Sequence, residues 1–187
     1  MPRLTDRLGP FTFNEKLALG MLALFIPISF GSSMVLRPGN VLKGSDFALF
    51  LAWKIGWSIA VFIAAGVAIA TVFLKPDAHS SRWRMHIGRI LPLAALGVAI
   101  PSAYVLESAY SAHQMRSFAR SHASELSGPA PRAVIYRAGI PDGGVVIVRS
   151  PGENPESYAA TRMIDLTGED IKSCTALGDG DWSCHFD

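Results

Sequence analysis

The sequence has few charged residues and only two cysteines. Charged side chains make up 17% of its 187 residues, against about a quarter in a typical soluble domain. The shortage is uneven: long apolar runs dominate from Lys16 to Leu106, and ordinary globular composition begins at Glu107. The first part therefore does not resemble a soluble domain, and a net charge of +2 gives no case for nucleic-acid binding.

The sequence also lacks the common catalytic and nucleotide-binding motifs. It has no Gly-x-Ser-x-Gly, no phosphate-binding loop, no dinucleotide-binding fingerprint and no His-Glu-x-x-His. Its histidines are poorly placed for a metal, since His113 and His122 would lie on opposite sides of one helix. We therefore predict no catalytic residue, no cofactor, no metal site and a non-enzymatic role.

Three long apolar runs are the main feature that the sequence does have. They cover about residues 17–36, 47–74 and 87–106, and a helix of about 20 residues crosses the hydrocarbon core of a bilayer. We predict a membrane α-helical protein with three transmembrane helices. Residues 1–16 precede this 17–106 domain, and residues 107–187 form a small extracytoplasmic α+β or mostly β module with antiparallel hairpins. The first run could instead be a secretory signal, although it is longer than the usual apolar region of one.

Basic residues predict the orientation of these helices. The N-terminal segment has three basic residues, which are Arg3, Arg7 and Lys16. The loop between the second and third runs, the predicted cytoplasmic basic loop, has four more, which are Lys75, Arg82, Arg84 and Arg89. These seven would lie on the same side of the membrane. The loop between the first two runs has only Arg37 and Lys43. The positive-inside rule then places the N-terminus in the cytoplasm and the C-terminal module in the periplasm of a bacterial inner membrane. The 75–89 loop could also contact anionic lipids.

Small residues recur every four positions along the second and third helices. The two stripes are Gly56, Ala60 and Ala64, and Ala95, Ala99 and Ala103. Such stripes allow close helix packing, and they serve either the internal packing of this helix pair or the docking of a partner. Lys54, flanked by Trp53 and Trp57, is interpreted as an interfacial anchor; the alternative is an ion path.

The C-terminal module is predicted to begin with a helical stalk that continues the third span to about Leu126. Residues 132–138 and 144–150 are rich in β-branched side chains and enclose turn residues, which predicts a hairpin. Residues 157–166 alternate well enough for a third strand, and a helical turn is expected to start at Thr167.

The two cysteines could be metal ligands, a redox pair or the two halves of a structural disulfide. Zinc prefers four ligands, and a redox pair usually has the spacing Cys-x-x-Cys. A hairpin with a three-residue turn at 178–180 would place Cys174 directly opposite Cys184, within reach of a disulfide. A two-residue turn would instead oppose Cys174 and His185. We therefore predict a structural disulfide, which would persist outside the cytoplasm, and with it the three-residue turn.

These features predict an accessory or scaffolding subunit. Its helices would dock among other integral membrane subunits, and its outer module would contact a partner's periplasmic face. One alternative is a self-associating transporter or channel with Lys54, Ser58 or Thr71 along the path. Another is an envelope enzyme or thiol oxidoreductase that uses the outer module.

Overall fold

The computed structural model describes residues 11–29, 44–74, 82–138 and 143–186. Within these ranges the chain forms four α-helices, four strands and a 3₁₀ turn at Pro155–Ser157. The elements are α1 (Phe13–Ser29), α2 (Gly44–Phe73), α3 (Arg82–Ser121), β1 (Arg132–Ala138), β2 (Gly144–Arg149), α4 (Ala160–Thr167), β3 (Ile171–Gly178) and β4 (Asp181–Phe186). The described residues of 1–31 and 53–106 form one compact unit, called the helical unit, and those of 32–52 and 107–187 form a second, called the head.

A capping box defines the start of α1. The Thr12 N–H donates to Glu15 Oε2 at 2.8 Å, and the Glu15 N–H donates to Thr12 Oγ1 at 3.4 Å. This reciprocal pair satisfies two amide groups that a helix start leaves without intrahelical partners.

Two of the three predicted spans are long and apolar enough, by length and composition, to cross a membrane. They are Ala48–Phe73 in α2 and His86–Ser121 in α3. In contrast, α1 has 17 described residues, about 25 Å at 1.5 Å per residue. The rest of the predicted first span, residues 30–36, lies outside the described residues. The described structure therefore supports two membrane-length helices and leaves the third span a prediction.

The helical unit has a small core to which all three long helices contribute. Its buried residues are Met21, Phe25, Ala64, Ala68, Leu96 and Ala99. The rings of Phe25 and Trp57 lie 5.2 Å apart at 60° and join α1 to α2. Half of the buried residues are alanines, and small side chains let helices approach closely.

The head is built on one antiparallel sheet with the strand order β1-β2-β4-β3. Side chains alternate along the central strand β2. Val145 and Ile147 pack with Ala119 and Phe118 of α3, whereas Val146 and Val148 pack with Met163 of α4. Both faces of the sheet are therefore covered, and the head has two apolar layers, one on each side of the sheet.

The segment 157–166 is not a strand, contrary to the prediction. The chain forms the 3₁₀ turn, capped by Asn154 whose side chain accepts from the Glu156 N–H, and then α4. Met163 and Thr167, one helical turn apart, are both buried, so the apolar pattern has the helical period. The predicted helical turn starting at Thr167 was also wrong: α4 ends there, and Gly168 follows with φ 85°, a common C-terminal helix cap.

Candidate interaction surfaces

The helical unit leaves large apolar side chains uncovered. Phe62 is 79% exposed and Phe73 is 82% exposed, and Tyr104 on α3 is 75% exposed. Only 11% of the most apolar stretch of α2 and 28% of that of α3 is buried within the protein. Exposed apolar surface of this kind is typical of contact with a membrane or a partner, and it supports association with a membrane.

The two predicted small-residue stripes differ in their surroundings. Ala95, Ala99 and Ala103 on α3 are 7%, 0% and 1% exposed. On α2, Ala64 is buried, whereas Gly56 and Ala60 are exposed. The α3 stripe therefore lies inside the folded chain, and the described residues leave the first two members of the α2 stripe uncovered.

The predicted interfacial anchors lie near the middle of α2. The Trp57 ring packs against Phe25, Trp53 is half-buried, and Lys54 is exposed. The neighbouring hydroxyl of Ser58 donates to the Lys54 carbonyl at 3.0 Å. The Ser58 hydroxyl is thus engaged with the backbone of its own helix, which gives no support to a polar path along α2.

Thr71 has a role that the sequence did not indicate. It is 1% exposed, and its hydroxyl lies 2.7 Å from the Ala68 carbonyl oxygen and 3.2 Å from the Arg89 carbonyl oxygen. The second contact connects α2 to α3. Thr71 therefore helps to hold the two helices together and does not line an open path.

The predicted cytoplasmic basic loop falls largely outside the described residues. Lys75 is not described, and Arg82 and Arg84 are described only as part of the backbone of α3. Arg89 lies one to two turns into α3. Its Nε is buried and makes no hydrogen bond to any described residue. Contact of this loop with anionic lipids stays a prediction.

Cys174 and Cys184 are joined by a disulfide, with their α-carbons 4.1 Å apart. They face each other across β3 and β4, as do Thr175 and Ser183. The bonded pair lies on the side of the sheet that packs against α4. A disulfide in this module fits an oxidising compartment.

The turn of this hairpin corrects the prediction of three residues. Asp179 and Gly180 form a two-residue turn with φ of 57° and 78°, the positive values that type I′ hairpins require. Gly178 pairs with Asp181, and a bulge at Leu177 then shifts the register by one residue, so that Cys174 still opposes Cys184. The Leu177 side chain is buried in the core under α3, and its carbonyl accepts from Arg116 Nε at 2.6 Å.

The two edges of the sheet differ. At the β3 edge, the Cys174 N–H donates to the Glu156 carboxylate, and the 3₁₀ turn that carries Glu156 packs beside the strand. At the β1 edge, no hydrogen bond from another described segment reaches the backbone of 132–135. Ile135 on this strand is 47% exposed. α4 packs beside β1, but the described residues leave the β1 backbone over 132–135 able to accept another strand. The bond from Cys174 to Glu156 at the other edge was not predicted from the sequence.

Charged and polar groups in the head serve its packing. Arg149 donates to both carboxylate oxygens of Asp181, at 2.7 and 2.9 Å, and this bond raises the pKa of Arg149. Burial raises the pKa of Tyr136, partly offset by the nearby Arg137 guanidinium, and burial also lowers the pKa of Arg137.

In the described ranges, no three His, Cys, Asp or Glu side chains could together hold a metal ion.

Comparison with known proteins finds no matching family model, no match among curated proteins and no matching solved structure.

Proposed function

We propose that this protein is an accessory or scaffolding subunit of a bacterial inner-membrane complex, anchored by three transmembrane helices. The N-terminus and the 75–89 loop lie in the cytoplasm, and the head lies in the periplasm. The seven basic residues on one side against two on the other support this orientation, as does the disulfide in the head. A reporter fused after Asp187 would test it: activity in the cytosol alone contradicts the orientation.

The observation that carries the proposal is the contrast between the two sheet edges of the head. An unpaired strand offers a row of backbone donors and acceptors, and an extended peptide can add to it. In this head, Glu156 accepts the Cys174 amide of β3, whereas no other described segment forms a hydrogen bond to the backbone of β1 over 132–135. We propose that β1 receives an extended segment of a partner subunit.

The chemistry of β1 indicates the kind of segment that would bind. The strand has arginines near both ends, Arg132 and Arg137, and no acidic residue. A bulge between Ile135 and Arg137 interrupts the pairing with β2, and bulges bend an edge away from further pairing. The partner strand would therefore pair mainly along 132–135, and acidic side chains in it would complement the basic ends.

The test is the size of the complex extracted from the native membrane in mild detergent. We compare the wild type with Ile135→Glu, which places a charge on the exposed apolar position of β1. The expected result is a large complex for the wild type and a shift to the mass of the protein alone for Ile135→Glu.

Thr175→Glu is the matched control, because Thr175 is an exposed residue of the opposite edge strand. This variant should keep the complex. A wild type that elutes as a solitary monomer contradicts the subunit role, and an equal loss in both variants contradicts the choice of β1.

A further inference from the structure

Two apolar grooves of nearly equal size flank α1 within the helical unit. The groove between α1 and α2 has a volume of about 490 Å³ and is lined by residues that include Gly20, Leu24, Ile28, Trp57, Ala60 and Ile63. The groove between α1 and α3 has a volume of about 460 Å³ and is lined by residues that include Leu19, Leu22, Leu91, Ala94 and Val98. Both volumes fall within the range of small-molecule sites, about 300–1,000 Å³.

The two grooves differ in the charge at their ends. Among the described residues, Lys16 is the charged residue that lines the α1–α2 groove, and Glu15 is the charged residue that lines the α1–α3 groove. Lys16 is exposed and forms no ion pair with a described residue. The Glu15 carboxylate instead accepts the Thr12 amide in the capping box. Adjacent positions on α1 thus present a basic side chain to one groove and an acidic side chain to the other.

The length of the α1–α2 groove suits one leaflet of a bilayer. Along α2 its lining residues extend from Val67 to Trp57, ten residues or about 15 Å at 1.5 Å per residue. The hydrocarbon core of a bilayer is about 30 Å thick, so the groove covers about half of it. A partner transmembrane helix would contact the full thickness, whereas a lipid acyl chain occupies one leaflet.

We infer that the α1–α2 groove binds an anionic phospholipid from the leaflet on the Lys16 side, with an acyl chain along Gly20, Ala60 and Trp57 and its phosphate at Lys16. The α1–α3 groove has no such preference, because Glu15 repels the phosphate. The inference requires only that the helical unit lies in a bilayer. It does not depend on the partner proposed for β1, so either can fail without the other.

Trp57 lines the groove and can report on its occupant. We use the full-length chain with Trp53→Phe and Trp83→Phe, which leaves Trp57 and Trp182 of the head. The protein is reconstituted in phosphatidylcholine vesicles that contain phosphatidylglycerol or phosphatidylcholine with bromine on the acyl chains, and quenching of tryptophan fluorescence is measured. We expect brominated phosphatidylglycerol to quench at about one-fifth the concentration of brominated phosphatidylcholine, since one basic residue near an anionic surface contributes about 1 kcal/mol.

Lys16→Gln should remove this fivefold preference, and Glu15→Gln should retain it. The two substitutions each neutralise one charge at adjacent positions, and Gln still completes a capping box. A third variant, Gly20→Leu, extends an apolar side chain into the groove from a position where a Cβ would meet no atom within 4 Å. It should reduce quenching by both lipids, while circular dichroism shows unchanged helix content.

Three outcomes would overturn the inference. Equal quenching by both lipids means that Trp57 meets only the general lipid surroundings. A preference that survives Lys16→Gln removes Lys16 as the phosphate contact. Absence of quenching by either lipid, together with an oligomer in size-exclusion chromatography with light scattering, means that a second copy covers the groove.

Discussion

The helical unit and the head differ in where they place their large apolar side chains. The helical unit packs through alanines, such as Ala68 and Ala99, and leaves its large apolar side chains on the outside. The head places large side chains inside, including Tyr136, Ile147 and Met163, which are all 0% exposed. In lipid there is no gain from burying an apolar side chain against another, whereas in water that gain dominates folding. The difference thus indicates a different solvent for each unit.

Among the substitutions that test this contrast, Met163→Ala in the head is expected to have the largest effect on stability. Met163 is fully buried between α4 and the sheet, and truncation of such a side chain usually costs about 2–5 kcal/mol. Hydrogen exchange of the full chain, followed by mass spectrometry, should show lost protection in β2 and unchanged protection in α2. Ile164→Ala is the control: Ile164 is 40% exposed, and its change should be well under half as large. Equal effects would contradict a head core centred on Met163.

A smaller effect is expected from Thr71→Val in the helical unit. Valine keeps the shape of the side chain and removes the hydroxyl that reaches the Arg89 carbonyl, and such interhelical bonds contribute about 0.5–1.5 kcal/mol. The free energy of unfolding in detergent micelles should fall by that amount. Ser58→Ala removes an exposed hydroxyl whose bond within the described structure is to the carbonyl of Lys54 in its own helix, and it should have no measurable effect. An equal loss in both would mean that Thr71 does not join α2 to α3.

The smallest effect at neutral pH is expected from Tyr136→Phe. The Arg137 guanidinium lies near the buried hydroxyl, but no described residue gives that hydroxyl a hydrogen bond of standard geometry. Its removal should therefore change head stability by less than about 1 kcal/mol. Tyr158→Phe, by contrast, breaks a bond of 3.0 Å to Ser150 and should reduce stability measurably.

Tyr136→Phe should also differ from the wild type in its stability at alkaline pH. Because burial raises the pKa of Tyr136 above 10.0, the folded head holds the phenolic proton more tightly than the unfolded chain. That contribution to stability is fully present below pH 10 and is lost as the pH rises through the folded-state pKa. Unfolding followed by near-ultraviolet circular dichroism between pH 9 and pH 11.5 should therefore show a shallower decline for Tyr136→Phe. Parallel declines would contradict the raised pKa.

The sequence predicted those features of the head that depend on local pattern. The β-branched runs at 132–138 and 144–150 match β1 and β2 within one residue, because alternation and flanking turn residues are local signals. The segment 157–166 was mistaken for a strand because α4 has only eight residues, too few for a helical period to stand out from alternation.

Features that join distant segments had no local signal. The bulge at Leu177 depends on a core built by α3 and on Arg116, 61 residues earlier. The Glu156 bond to Cys174 crosses 18 residues, and the Thr71 contact with Arg89 also crosses 18. The two charges at the groove ends were visible in the sequence, but only the packing of α1 between α2 and α3 assigns one to each groove.

The carboxylate of Glu156 has a consequence for how many molecules can join. If both outer strands of a sheet were free, each added molecule would expose a new free strand, and growth could continue into a fibre. If a partner strand adds to β1 as proposed, the opposite edge strand already has its Cys174 amide bonded to Glu156. That bond disfavours a second addition there, so the contact at Cys174 would limit assembly through this sheet to one partner.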